Sequence, residues 1–304
     1  MTNEEKLAYN ERKALQYGWT PQWFGCTRFD VHLLAAIRSF QAQHGLSPDG
    51  MCGSSTFRRL WTERQQEGDY HAIEYDSSNA QKHIIYNGNP IPIVWDKVVL
   101  WNEEGGMGAS SGHYSDYAGQ PPRKPSFFVT HWDVCLSSKS CYRVLEQRGI
   151  SVHFGIDNDG TIYQWLDCQH AAWHAGGRSW NHSSIGVEVS NAYDTKYQSW
   201  YVKHGLGERP VVSNAQIHGR RLSPFLGFYD VQIQALAALW RAISDGVGIP
   251  LVLPPTKDRV DPSAAKNEFQ GFCNHYHLTS RKIDCAGLDN KLVLARAKQL
   301  RTPL

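Results

Sequence analysis

Apolar residues follow two different patterns along the chain. In the stretch VHLLAAIRSFQAQHG, Leu33, Ile37 and Phe40 recur at the spacing that places them on one face of a helix. Asp30 precedes this stretch as a helix-capping residue type, and Gly45 follows it where a left-handed residue ends many helices. The pattern predicts a short amphipathic helix, and TFRRLWTER predicts another one after the turn-rich segment LSPDGMCGSST.

The later part of the chain contains short apolar runs of the kind that form strands. SFFVTHW, SVHFGID, TIYQWL and SIGVEVS are such runs, and DNDG at 157–160 joins the second and third as a hairpin. A helical period then returns, because Ile233, Leu236 and Trp240 share one face behind Asp230, which we expect to be the N-cap. These patterns predict a small all-helical unit followed by a mixed α/β domain.

The composition changes between the two parts. QQEGDYHAIEYDSS has little apolar periodicity and is typical of a linker. We therefore expect a helical domain over residues 1–64, a linker over residues 65–84 and the α/β domain over residues 85–304. The long loops at 88–125 and 192–228 are suited to shaping a binding groove.

Composition and charge restrict the class of protein. The 304 residues are 41% hydrophobic and 20% charged, which is typical of a globular protein with an ample core. A net charge of +2 argues against nucleic acid as the main partner, and no apolar run reaches the roughly 20 residues of a membrane span. The N-terminal MTNEEKLAYNERKALQYG lacks the apolar stretch of a secretory signal, so we expect synthesis and retention in a cytoplasm. Seven cysteines are an odd number, so at least one is unpaired.

The stretch FCNHYHLTSRKIDCAG, residues 272–287, concentrates metal-binding residue types near the end of the chain. Catalytic zinc takes three protein ligands from histidine, carboxylate or thiolate groups and keeps a fourth position open. His275 and His277 lie two residues apart, and either could be a ligand. The neighbouring Asp284 and Cys285 could each supply another. From the residues alone, both choices stay open.

Two further positions are candidates for chemistry. His131 ends the predicted strand FFVTH. In SIGVEVS, Glu188 projects away from the apolar face, and its small neighbours Gly186 and Ser190 leave room for a ligand. The alternative for this carboxylate is an ordinary exposed strand residue. The histidines of HAAWH, residues 170–174, have the spacing of a helical zinc pair but lack the glutamate of the HExxH motif.

Four motifs in order carry a resemblance to a known family. FFVTHW, VHFGIDNDGTIYQW, AAWHAGGRSWNHSSIGVEVSN and NHYHLTSRKIDCAG resemble the zinc-dependent N-acetylmuramoyl-L-alanine amidases over most of residues 85–300. That family shares its fold with peptidoglycan recognition proteins and some phage lysins, so the resemblance implies a mixed central β-sheet flanked by helices. The N-terminal string FQ…GL…DG…G…T…L resembles the peptidoglycan-binding domain at the ends of many cell-wall enzymes, which implies a three-helix domain there. A helical dimerisation or docking module is the alternative for that part.

The amidase resemblance implies a set of zinc ligands. It carries the metal onto His131, His275 and Asp284, with Cys285 as the alternative third ligand. In the family the catalytic lysine precedes the ligand by two positions, which pairs Lys282 with Asp284 and favours the aspartate.

The same resemblance implies roles for other side chains. Glu188 is expected to be the general base, and Lys282 is expected to stabilise developing negative charge. Trp173, His174 and Asn181 are expected on the substrate side of the site.

Other cysteines and histidines receive structural predictions. Peptidoglycan recognition proteins carry a disulfide at a similar place, so the resemblance suggests a bond between Cys135 and Cys141. Two reduced thiols are the alternative that a cytoplasmic chain favours. We expect His170 to be structural and His153 to be a core histidine.

Together these features predict a peptidoglycan amidase with a zinc cofactor. The predicted reaction cuts the bond between N-acetylmuramic acid and L-alanine, and the N-terminal part binds the wall without being needed for hydrolysis of a small muropeptide. The missing secretion signal suggests a phage endolysin, with a bacterial enzyme exported by another route as the alternative. The competing functions are a non-catalytic peptidoglycan recognition protein and a zinc peptidase that cuts within the stem peptide.

Overall fold

The computed structural model describes residues 1–66 and 81–301, so the predicted linker at 65–84 lies mostly outside the described residues. Helices form the whole first part and flank the sheet of the second. The α-helices are α1 (Asn3–Tyr17), α2 (Val31–Gln43), α3 (Ser54–Gln65), α4 (Ser138–Arg148), α5 (Arg178–Ser183), α6 (Gln198–Lys203), α7 (Asp230–Val247), α8 (Pro262–Ala265), α9 (His275–Leu278) and α10 (Asn290–Gln299). Short 3-10 helices lie at Pro21–Phe24 and Thr195–Tyr197.

The strands all belong to the second part. They are β1 (His83–Tyr86), β2 (Asn89–Pro92), β3 (Val98–Leu100), β4 (Tyr114–Ser115), β5 (Phe127–Trp132), β6 (Phe154–Ile156), β7 (Ile162–Gln164), β8 (Ala171–Ala172), β9 (Ser184–Val189), β10 (Val211–Val212), β11 (Gln216–Ile217), β12 (Arg220–Arg221), β13 (Phe225–Leu226) and β14 (Gly271–Asn274). No helix within residues 1–66 and 81–301 has the length and apolarity needed to cross a membrane.

The central sheet is mixed, as the sequence predicts. Its strand order is β14-β5-β9-β6-β7-β3. The first four of these strands run parallel, and β7 is antiparallel to β6 and parallel to β3. The predicted hairpin at 157–160 is confirmed, because it joins β6 to β7.

One face of this sheet carries the main apolar core. Phe128, Val187 and Phe272 point to this face and pack with α7, where the ring of Trp240 lies 4.7 Å from that of Phe272. The helix begins at Asp230, so Tyr229 is the N-cap and the predicted cap is one residue off. Since strand side chains alternate, the residues between these apolar positions face the opposite side, where the site lies.

The predicted N-terminal helices are present. The Asp30 side chain caps α2 by accepting from the backbone N–H groups of His32 and Leu33. Gly45 has the expected left-handed conformation, with φ of 65°. Sequence reasoning expected a third helix in this part but did not place α1, most of whose residues are polar.

The helical part and the α/β part share one hydrophobic cluster. Helix α4 packs against both α1 and α3. The buried members include residues of both parts: Tyr17, Leu33, Ile37, Phe57, Leu60, Val144, Leu145, Tyr163 and Trp165. Removing the N-terminal helices would expose the apolar surface of α4 to water, which is unfavourable. This shared cluster argues against the expectation that hydrolysis of a small muropeptide stays largely intact without residues 1–64, which stays a prediction.

Candidate metal centre and active-site groove

Three adjacent parallel strands bring the predicted residues together at their carboxyl ends. His131 at the end of β5 pairs in register with Glu188 on β9. On the other side of β5, Asn274 of β14 pairs with Thr130. His275 is the next residue after Asn274 and therefore comes level with His131. The carboxyl ends of strands are where open α/β sheets bind ligands.

Two histidines converge on one carboxylate oxygen. Oδ2 of Asp284 lies 3.0 Å from Nδ1 of His131 and 3.1 Å from Nδ1 of His275. All three residues are buried, and their ligand atoms lie within 4.8 Å of one another. The Nδ1 atoms and the carboxylate oxygen thus form a compact donor set that fits a zinc ion.

The electrostatics of this cluster suit a metal ligand set. Burial lowers the pKa of His131 to about 4, so its imidazole is neutral and has a lone pair to offer. Burial opposes ionisation of Asp284, but the adjacent His275 and His131 hold the pKa of its carboxyl well below the usual value. Metal ligands must be deprotonated, and His131 and Asp284 meet this condition.

The alternative ligands lie elsewhere. Nδ1 of His277 accepts from the backbone N–H of Asn274 at 3.0 Å, and its Nε2 lies 3.1 Å from the carbonyl oxygen of Thr256. This imidazole therefore holds the turn at the end of β14. Cys285 packs into the apolar core and is outside the group of metal-binding side chains found among the described residues.

His174 lies behind His131 and belongs to a chain of hydrogen bonds. Nε2 of His131 lies 2.9 Å from Nδ1 of His174, and Nε2 of His174 lies 3.1 Å from Oγ of Ser184. Ser184 in turn donates to the carbonyl oxygen of Trp180 at 2.6 Å. This direction of donation leaves Nδ1 of His131 for a metal. In this structure His174 is a partner of His131, and its expected role in substrate binding stays a prediction.

A glycine makes room for this partner. A Cβ atom added at Gly186 would lie 2.5 Å from Nδ1 of His174. The sequence analysis gave Gly186 the role of space for a ligand next to Glu188. In the structure that space holds the His174 ring.

Glu188 is buried, which excludes the alternative of an exposed strand residue. Its side chain is 7% exposed, and Oε1 lies 3.8 Å from Nη2 of Arg58. Oε2 has no hydrogen-bond partner among the described residues. Burial raises the pKa of Glu188 to about 8, against the opposing charge of Arg58. Sequence reasoning missed Arg58, because nothing in the sequence around Arg58 indicates a contact with Glu188, which is distant along the chain.

Lys282 occupies the rim of this cluster. Its side chain is exposed, and its charge acts on His131, Glu188 and Asp284. An ammonium in this place favours negative charge that develops at the site.

An open groove of about 1140 Å³ lies at the start of β9, where residues of α5 line it, and its described lining residues do not include the metal-binding side chains. Trp173 and Asn181, for which substrate contacts stay a prediction, line it together with Tyr117 from the first of the two long loops. Nε1 of Trp173 donates to Oγ of Ser115 at 3.0 Å. Oδ1 of Asn181 accepts from the backbone N–H of Ala175 at 2.8 Å. The groove thus presents the aromatic face of Trp173, and these two hydrogen bonds hold the surrounding loop in place.

The remaining histidines of the predictions have structural contacts. His153 is fully buried, accepts from the backbone N–H of Gly186 at 3.1 Å and lies 3.0 Å from the carbonyl oxygen of His170. His170 pairs with Asp116 at 3.2 Å. HAAWH is not helical, because Ala171–Ala172 form β8.

The predicted disulfide is absent from this structure. Cys135 and Cys141 are both buried free thiols. Their sulfur atoms and a carboxylate oxygen of Asp133 lie within 4.8 Å of one another. The two thiols are thus close neighbours, and their oxidised pairing stays a prediction.

Comparisons with known proteins agree with this geometry. The family described as N-acetylmuramoyl-L-alanine amidase matches residues 121–284, and a candidate peptidoglycan binding domain family matches residues 15–60. A Rickettsia conorii protein named as a candidate N-acetylmuramoyl-L-alanine amidase is 33% identical over 98 residues. That match covers 29% of this chain and 37% of the relative, so it spans little more than a third of the relative's length.

Solved structures are also similar to this chain. A selenomethionine derivative of AmpD is 20% identical, with 66% of this chain and 98% of that chain covered and a TM-score of 0.37. An endolysin amidase from Clostridium intestinale is 18% identical, with 66% and 95% covered and a TM-score of 0.38. The amidase family match covers more than half of the residues and includes His131, His275 and Asp284. This chain therefore belongs to the N-acetylmuramoyl-L-alanine amidase family.

Proposed function

We propose that this protein is a zinc-dependent amidase that hydrolyses the bond between N-acetylmuramic acid and L-alanine in peptidoglycan. The observation that carries the proposal is the convergence of Nδ1 of His131 and Nδ1 of His275 on Oδ2 of Asp284, at 3.0 and 3.1 Å, in a chain of the amidase family. Two imidazole nitrogens and a carboxylate oxygen are a ligand set that catalytic zinc uses.

The metal and Glu188 have separate tasks in this reaction. His131, His275 and Asp284 would hold the zinc ion, which would supply Lewis acidity for polarising the scissile carbonyl and for lowering the pKa of a water molecule. Glu188 acts as general base: its carboxylate takes a proton from the attacking water. The same carboxyl then gives that proton to the leaving nitrogen.

Lys282 and the groove at the start of β9 have separate proposed tasks. The charge of Lys282 acts on Glu188 and Asp284, which supports a role in stabilising negative charge on the carbonyl oxygen. The groove lined by Trp173 and Asn181 has room for glycan and stem peptide, and the indole face is suited to stacking on a sugar ring.

The N-terminal helices are proposed to bind the cell wall. The peptidoglycan binding family match at residues 15–60 supports this assignment for the domain over residues 1–64. The domain over residues 85–304 is then the zinc amidase, and the protein acts on the wall. The endolysin role predicted from the sequence stays a prediction.

Mass spectrometry of digested peptidoglycan tests the reaction. Purified protein with zinc is expected to release stem peptides with a free L-alanine amino terminus and to leave intact N-acetylmuramic acid on the glycan. Protein treated with a chelator should lose this activity, and added zinc should restore it. The Glu188→Gln variant is the matched control for contaminating hydrolases.

Two results would contradict the proposal. New termini inside the stem peptide would identify a peptidase. Binding of muropeptide without any cleavage, with zinc bound, would identify a recognition protein.

A further inference from the structure

Helix α3 of the N-terminal part reaches the general base of the amidase part. Nη2 of Arg58 lies 3.8 Å from Oε1 of Glu188. The two side chains are 18% and 7% exposed, so the pair is largely shielded from water. Among the ion pairs of residues 1–66 and 81–301, Glu188 takes part in this one alone.

The contacts around Arg58 fix α3 against the amidase part. Nε1 of Trp61 donates to Oγ of Ser140 at 3.0 Å, and Oγ1 of Thr62 donates to the carbonyl oxygen of Val134 at 2.8 Å. These residues follow Arg58 within about one helical turn. The position of its guanidinium is therefore determined by side chains on the same face of the helix.

The amidase part offers Arg58 a buried acidic pocket. Asp133 is fully buried, and its Oδ2 has no hydrogen-bond partner among the described residues. Its charge and that of Glu188 both act on Arg58, as do the thiols of Cys135 and Cys141. Buried carboxylates are unfavourable without a compensating charge. Arg58 supplies that charge from the other part of the chain.

A second cation lies at the edge of this pocket. The charge of Arg148, the last residue of α4, acts on both Arg58 and Glu188. The ion pairs found among the described residues include no pair between Arg148 and Glu188, which leaves Arg58 as the closer partner of the base.

We propose that Arg58 is a positioning residue of the amidase site. Its guanidinium lies beside Oε1 of Glu188, and its charge holds this carboxylate in place. This inference rests on the proposed function, in which Glu188 is the general base. The N-terminal helices would then contribute Arg58 to the active site, in addition to their proposed role in wall binding.

Steady-state kinetics on a soluble muropeptide tests the inference. Arg58→Met keeps the aliphatic stem and removes the charge, so we expect kcat to fall by about 10- to 100-fold, the range for a misplaced catalytic group, with little change in KM. Arg58→Lys should recover part of this loss because it keeps a cation. Arg59→Met is the matched control, since Arg59 donates to Oη of Tyr197 across the same interface at 3.2 Å and has no contact with Glu188.

A double-mutant comparison separates positioning from a general loss of structure. In the Glu188→Gln background, Arg58→Met should cause little further loss of kcat, because the charge that it anchors is gone. An equal loss in both backgrounds, or wild-type kcat for Arg58→Met, would overturn the proposal. So would a loss of the same size in Arg59→Met.

The interaction between Arg58 and Glu188 is also measurable by thermal unfolding, without an assay of catalysis. The melting temperature of the double variant should differ from the sum of the two single shifts, because the residues interact. Additive shifts would count against the pair. Failure of the proposed function would instead appear in the product analysis of the wild-type protein, so the two failures are distinguishable.

Discussion

Nε2 of His131 lies 2.9 Å from Nδ1 of His174, which makes one histidine the hydrogen-bond partner of another behind the metal cluster. Burial lowers the pKa of His174 well below its usual value, so its ring is neutral and has one donor and one acceptor nitrogen. Because Nε2 of His174 can donate to Oγ of Ser184, Nδ1 of His174 is the nitrogen that accepts from Nε2 of His131. The contact therefore selects the tautomer of His131 that carries its proton on Nε2. In that tautomer the lone pair of Nδ1 is on the side of Asp284.

The first prediction concerns this partner. His174→Ala removes the acceptor that orients His131, so the affinity for zinc should fall by about 10- to 100-fold, the usual effect of losing such a contact. Competition with a chromophoric chelator measures it. His170→Ala is the control, since its ring accepts from the backbone N–H of Tyr117 at 3.1 Å and lies outside the metal-binding group. Unchanged zinc affinity in His174→Ala would refute this role.

The second prediction decides the third metal ligand. Asp284→Ala should lose zinc, because its Oδ2 is the atom on which both histidines converge. Cys285→Ala should keep zinc, because that thiol packs in the apolar core. Metal analysis of the purified variants measures both. Loss of zinc in Cys285→Ala with retention in Asp284→Ala would reverse the assignment.

The third prediction concerns the base. Glu188→Gln keeps the size of the side chain but removes its ability to accept the proton, so the rate should fall by about 10²–10⁴ with zinc still bound. Glu146→Gln is the control, because that carboxylate on α4 accepts from the backbone N–H of Ser110 at 3.1 Å, away from the site. Activity near that of the wild-type protein in Glu188→Gln would leave Glu188 as an ordinary strand residue.

Local patterns of the sequence predict much of the fold. The period of apolar residues identifies α2, α3 and α7, and the short apolar runs identify β5, β6, β7 and β9. These features depend on residues within one or two turns or strands of each other, which is why they are visible in the chain alone. The same holds for the histidine at the end of β5 and the glutamate at the end of β9.

Contacts between distant segments could not be predicted in this way. The choice between Asp284 and Cys285 depends on which side chain turns toward His131, more than 150 residues earlier. The pairing of Arg58 with Glu188 depends on how two parts of the chain pack. The periodicity of apolar residues carries no information on the choice of metal ligand or on the pairing of Arg58 with Glu188, because tertiary packing decides both.

The fourth prediction concerns the cysteine pair. Cys135 and Cys141 are buried thiols in one cluster, so a mild oxidant is expected to join them once it reaches the interior. The short loop limits the gain in stability to about 2 kcal/mol by the loop-length estimate. Peptide mapping under non-reducing conditions measures the pairing, with the buried Cys273 as the control that stays free. Cys135 found alkylated after oxidation, or bonded to a different cysteine, would contradict it.

The last prediction uses the glycine beside His174. A Cβ atom at position 186 would lie 2.5 Å from Nδ1, 2.6 Å from Cε1 and 2.9 Å from Cγ of His174, closer than real Cβ contacts come. Gly186 is in the middle of β9, and its backbone does not have the left-handed conformation that disfavours alanine. Gly186→Ala should therefore act by pushing the imidazole of His174 away from His131.

We expect Gly186→Ala to weaken zinc binding by about 10- to 100-fold, as His174→Ala does. In the His174→Ala background the same change should have little effect, because the ring that it would displace is already gone. Gly108→Ala is the control, since a Cβ there meets Trp101 at an ordinary 3.5 Å. Chelator competition on the four proteins of this cycle measures the coupling. Equal losses of affinity with and without His174 would show that Gly186 acts on the metal cluster by another route.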